Sequence, residues 1–105
     1  MEIPQIKETK PKIDKQELYD KAIEKWGCAN QLRMLIEECS ELIQAIAHHE
    51  RGRNGAGDVA EEIADVEILI EQAKQSMYLE DEVNEFKQQK LERLQKRVNE
   101  FKQQK

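Results

Sequence analysis

Across residues 31–46, QLRMLIEECSELIQAI, the apolar side chains Leu32, Leu35, Ile36, Cys39, Leu42, Ile43 and Ile46 recur at steps of three and four. A strand would alternate at every second residue, so this spacing calls for a helix that buries one face. Glu37, Glu38 and Glu41 stand within the same turns. Like charges three or four residues apart cost a helix roughly 0.2–0.5 kcal/mol per pair. Carboxylates gathered at the edge of a buried face therefore need a reason outside the helix itself.

The same period continues on both sides. Leu18, Ala22, Ile23 and Trp26 predict a first helix that opens at Asp14, where Asp14 and Glu17 form a capping box, and that stops at Gly27. Asn30 is placed to cap the second helix, expected over 31–49. The segment ERGRNGAGD, residues 50–58, holds three glycines and predicts a loop. Asp58 and Glu61 form a second capping box for a helix over 59–75, with Ile63, Val66, Ile70 and Ala73 as its core stripe. A fourth helix begins near Leu79. No stretch alternates as a strand would. The expectation is an all-α, four-helix bundle.

Both prolines fall within residues 1–13, which show no period and predict a flexible tail before a helical domain over 14–97. The octapeptide VNEFKQQK occurs at 83–90 and again at 98–105. Repeat architectures need three or more units, so the second copy reads as a tandem duplication or an artificial addition that extends the last helix and is dispensable.

Charged residues make up 37% of the chain and the net charge is −5, which argues against a general nucleic-acid binder. No apolar run approaches the roughly 20 residues that span a bilayer, and residues at the N-terminus lack a signal-peptide core. Cys28 and Cys39 make a poor disulfide framework or zinc site, so a reduced, cytoplasmic setting is expected. A chain of 105 residues builds a modest core. Leu91, Leu94, Val98 and Phe101 add a stripe offset from that of Val83 and Phe86. Apolar stripes on several faces predict association, as a homodimer or a tetramer.

Helix two carries Glu38-x-x-Glu41 and helix three carries Glu62-x-x-Asp65. Residues three apart share a helix face. Gln31, Met34, Glu38, Glu41 and Ala45 form one strip, and Asp58, Glu62, Asp65 and Leu69 form another. Paired antiparallel, the two helices can turn both carboxylate pairs toward each other. Four converging carboxylates repel unless a cation neutralises them, and such hard oxygen donors suit Mg²⁺ or Mn²⁺. The plainer reading is a pair of solvated acidic faces; against it, both pairs border the apolar stripe instead of lying opposite it.

That order, E-x-x-E and then E-x-x-D on the next helix, resembles the MazG-like all-α nucleoside triphosphate pyrophosphohydrolases. The resemblance covers residues 15–97 and rests on KWG at 25–27, QLRMLIEECSELIQAI at 31–46, EEIADVEILIEQ at 61–72 and KLERLQKR at 90–97. It implies that Glu38, Glu41, Glu62 and Asp65 bind the metal. It also implies cleavage of a nucleoside triphosphate between its α and β phosphates, releasing pyrophosphate and the monophosphate. Glu38 is then the candidate general base. Lys90 and Arg93, placed where helix four's stripe expects apolar residues, would hold the polyphosphate; the alternative is that their stems only cover the core. Trp26, by stacking, and Gln31, by its amide, are the candidates for contact with the base. For Trp26 the competing role is a core residue.

His48 and His49 lack partners at metal spacing and read as surface residues, and the glycine loop lacks a P-loop pattern. Two alternatives stand beside the hydrolase. One is a non-catalytic helical interaction module. The other is a related enzyme, either dUTPase-like or a phosphoribosyl-ATP pyrophosphohydrolase, although no added segment serves the latter's larger substrate.

Overall fold

A computed structural model describes residues 10–103. The tail expected over 1–13 falls mostly outside the described residues, as do the last two residues of the repeat at 98–105. The described residues form four helices: α1 Lys15–Trp26, α2 Cys28–Glu50, α3 Ala56–Ser76 and α4 Glu80–Gln103. There is no strand among the described residues. The chain is all-α.

The first helix starts as its sequence predicts, with the Asp14 carboxylate accepting from the Glu17 backbone N–H at 3.2 Å. Gly27 ends it at φ 85°, a value that side-chain-bearing residues rarely adopt, and its N–H donates to Ile23 O at 2.7 Å. Gly27 also serves as the N-cap of α2. Helix two therefore begins at Cys28, ahead of the expected start at 31, and Asn30 lies within it. At the other end of α2, Gly52 at φ 72° turns the chain, and Gly52 and Arg53 N–H groups donate back to His49 O and His48 O.

The glycine loop is shorter than its composition predicts. Gly55 is the N-cap of α3, so Gly57 and Asp58 are helical and no side chain caps this helix. Gly57 costs a helix roughly 1 kcal/mol relative to alanine. Packing of α3 along α2 outweighs that local preference, as tertiary contacts usually do for helices. Asp58 in the first turn instead places negative charge against the helix N-terminus.

Helices α2 and α3 form an antiparallel hairpin, α1 packs across both, and α4 touches only α3. The buried side chains are Tyr19, Ala45, Val66 and Leu69 with the amides Gln31 and Gln72. Two expected stripes shift by a residue. On α1, Leu18 and Trp26 are exposed and Tyr19 takes the interior. The cause is the way α1 meets α3: Tyr19 Oη donates to Glu71, and Gln75 Nε2 donates to Gln16 O and Asp20 Oδ1. On α3, Ile63 and Ile70 stay two-fifths exposed while Val66 and Leu69 face α2.

The radius of gyration is 19.4 Å, against about 13 Å for a compact chain of this length. The accessible surface is 9588 Å², against roughly 6,100 Å² for a compact protein of this mass. Helix α4 leaves the hairpin after Tyr78, a residue held at φ 55°. Every α4 residue from Asn84 to Phe101 is exposed.

Candidate functional site

The register of the α2–α3 hairpin decides the site. It sets Glu38 and Glu41 of α2 against Glu62 of α3, with one carboxylate oxygen from each lying within 4.8 Å of the others. Asp65 stands beside this trio and raises the proton affinity of Glu38 through its charge. Glu38 and Glu62 are half-buried, and Oε2 of each is shut away from solvent with no hydrogen-bond partner. Burial first, and then the charge of Glu41, push Glu38 up to about 7. The same two causes push Glu62 above its ordinary range. Carboxylates unpaired in partly desolvated surroundings have this signature.

No cation offsets these charges from within. Among the described residues the ion pairs are Lys15–Glu71 and Lys21–Glu17, and neither involves the trio. The donor set is all oxygen and anionic, which fits a hard divalent cation. Glu37 and Glu61 are exposed, as their 100° offset on each helix predicts.

Next to the carboxylates lies a cavity of about 390 Å³ bounded by Trp26, Gln31, Met34, Glu38, Asp65 and Ile68 among others. Trp26 and Gln31 are thus brought to the same place as Glu38 and Asp65. Trp26 is 54% exposed, with Lys25 Nζ 5.2 Å from its ring centre, so it is a wall of this cavity and not a core residue. Gln31 is buried. Lys90 and Arg93 are not brought to the carboxylates: both are exposed on α4, and α4 makes no contact with α2.

One buried residue of the cavity escaped the sequence reading. Gln72 lines it together with Leu69. A signal was present, because Gln31 precedes Glu38 by the same seven residues that separate Asp65 from Gln72. On the far side of the carboxylates, a more open depression is lined by Glu41, His48, Asn54, Asp58 and Glu61. His49 Nδ1 lies 3.2 Å from Asn54 O and helps hold the loop.

Compared with known proteins, the chain matches no family model, no curated protein and no solved structure. Among the described residues, no helix is long and apolar enough to cross a membrane.

Proposed function

We propose that the chain is a Mg²⁺- or Mn²⁺-dependent nucleoside triphosphate pyrophosphohydrolase of the MazG-like all-α kind, acting in the cytoplasm. The observation that carries the reading is the meeting of Glu38, Glu41 and Glu62 at the edge of a cavity, two of them with buried oxygens that have no hydrogen-bond partner among the described residues. Such an arrangement costs stability and has no packing advantage, so a ligand that neutralises it gives it a purpose.

Glu38, Glu41 and Glu62 would hold the metal, with Asp65 beside them. When bound, the cation would offset the triphosphate's charge and acidify a bound water. The chain's own contribution is position. Glu38, fixed by α2 at the edge of the cavity, can take a proton from an attacking water at its carboxylate. Trp26 and Gln31 would hold the base in the cavity. Pyrophosphate release from a panel of nucleoside triphosphates in Mg²⁺ tests the reading. No release from any of them, with Mg²⁺ present and the fold intact, would sink it.

The reading also includes a homodimer or a tetramer. Ile36 and Ile43 are both 70% exposed on α2, and Ile63, Ile68 and Ile70 are exposed on α3. Apolar patches of this extent mark association. Lys90 and Arg93 keep their polyphosphate role only within such an assembly, where α4 comes to lie over carboxylates. Arg93→Ala would then lower kcat/KM about tenfold to 150-fold, the loss of a charge-assisted hydrogen bond worth roughly 1.5–3 kcal/mol. Unchanged kinetics would reassign both residues to covering apolar surface. The same exposed surface favours the interaction-module reading, which predicts association with no metal response.

A further inference from the structure

The cavity beside the carboxylates contains two amides that the fold leaves unsatisfied. Gln31 and Gln72 are 5% and 8% exposed, and both line the cavity. Gln31 lies two turns before Glu38, and Gln72 lies two turns after Asp65. In an antiparallel pair they therefore sit at the same level and face each other. Gln31 Nε2 and Gln72 Oε1 have no hydrogen-bond partner among the described residues. One orphan is a donor and the other an acceptor. Buried amides without partners are costly and rare in folded proteins. Leucine would fill either position without that cost.

We infer that Gln31 and Gln72 form the edge-reading pair of a slot for a nucleobase, meeting an acceptor and an adjacent donor on the ring's polar edge. Trp26, Met34 and Ile68 supply the flat and apolar walls. The inference rests on the nucleotide reading for the identity of the ring. It adds Gln72, from a helix otherwise assigned only to the metal, as a residue that selects substrate. The cavity's volume of about 390 Å³ falls within the range of small-molecule sites. A side-chain amide can turn over, so either member can present its donor or its acceptor. The pair thus admits any ring that places a donor beside an acceptor and rejects rings without a polar edge. Sites built to hydrogen-bond a substrate discriminate strongly against the analogue that lacks the group.

Trp26 is the only tryptophan of the chain, so its fluorescence reports directly on the cavity. The test titrates the full chain, without metal, with thymidine, uridine, cytidine, adenosine and guanosine. A thymidine isostere whose ring is difluorotoluene serves as the control without a hydrogen-bonding edge. At least one natural nucleoside should give a saturable change, and the isostere should bind at least tenfold more weakly. Gln31→Leu and Gln72→Leu should each raise the Kd for the natural nucleoside at least tenfold without lowering the melting temperature. Absence of a saturable signal, or leucine variants that bind as the parent does, would overturn the inference. Should a leucine variant lose its helical signal, Gln72→Met decides, since it keeps the side-chain length and removes the amide. Its Kd for the natural nucleoside must rise at least tenfold, and an unchanged Kd overturns the inference. The readout needs neither metal nor turnover. Failure of pyrophosphate release therefore leaves a positive nucleoside result standing, and an active enzyme with base-indifferent leucine variants loses this inference alone.

Discussion

Two of the half-buried carboxylates on helix α3, Glu62 and Glu71, stand in opposite circumstances. Glu71 accepts from Tyr19 Oη and lies 3.4 Å from Lys15 Nζ, and the Tyr19 hydrogen bond above all holds it below the usual carboxylate range. Burial and the same hydrogen bond push Tyr19 up to about 12. Glu62, nine residues earlier, faces Glu38 and Glu41 with a buried oxygen unpartnered, and its proton affinity is raised. One acid is answered by its neighbours and fastens α1 to α3. The other has no cation opposite it among the described residues. Two carboxylates of the same helix thus separate a structural role from a functional one, and the deciding feature is what stands opposite each.

The comparison can be broken most directly through activity. Glu41→Ala or Asp65→Ala should lower pyrophosphate release at least about a hundredfold, the upper range for losing merely a neighbour of a metal ligand. Glu71→Ala should leave turnover per folded molecule unchanged. Equal losses at the two sites would erase the distinction.

Melting temperatures should move in opposite directions. Glu71→Ala removes a charge-assisted hydrogen bond and an exposed ion pair, together worth about 1 kcal/mol after solvent screening, and should lower the midpoint by roughly 4–8 °C. Glu62→Gln should raise the midpoint of the metal-free protein, because it deletes a repelling charge. Millimolar Mg²⁺ should stabilise the parent chain and not the Glu62→Gln variant.

Titration should sharpen the contrast further. Glu38 moves from 4.5 to about 7 on folding, so the folded protein holds its proton more tightly than the unfolded chain. Stability of the metal-free protein should therefore fall as pH rises from about 4.5 through 7. Glu71 is lowered, so its contribution is present above 4.5 and fades as pH drops below that value. Mg²⁺ should flatten the upper limb alone, and a limb that metal leaves unaltered would count against Glu38 as a ligand. The smallest effect is expected from deleting residues 98–105, which should leave both the metal response and turnover in place.

The helices were legible because apolar spacing is a local property. Asp14 and Glu17 announce the start of α1, and the structure keeps that start. The approach of Glu38, Glu41 and Glu62 could also be anticipated, since two E-x-x-[ED] pairs on an antiparallel hairpin have few other places to go. Rotation about the helix axes was less accessible. Whether Ile63 or Val66 faces inward depends on where α2 sits, and Leu18 gives way to Tyr19 only because Glu71 waits across the interface. Asn30 and Asp58 looked like caps, yet glycines three residues earlier took over both starts. Lys90 and Arg93 sit at predictable positions on α4, but no pattern within a single helix says what that helix lies against.

The duplicated VNEFKQQK gives α4 a metric property. Its two copies are offset by 15 residues, a translation of about 22 Å and a rotation of about 60° along an α-helix. An insertion of that length extends the rod while keeping Val83 and Phe86 in nearly the same angular sector as Val98 and Phe101. Most other lengths would have turned the new residues away from the old ones. The helix therefore behaves as a ruler with a repeat mark: sequence added in units of 15 changes how far it reaches and preserves, to within a sixth of a turn, the direction it faces.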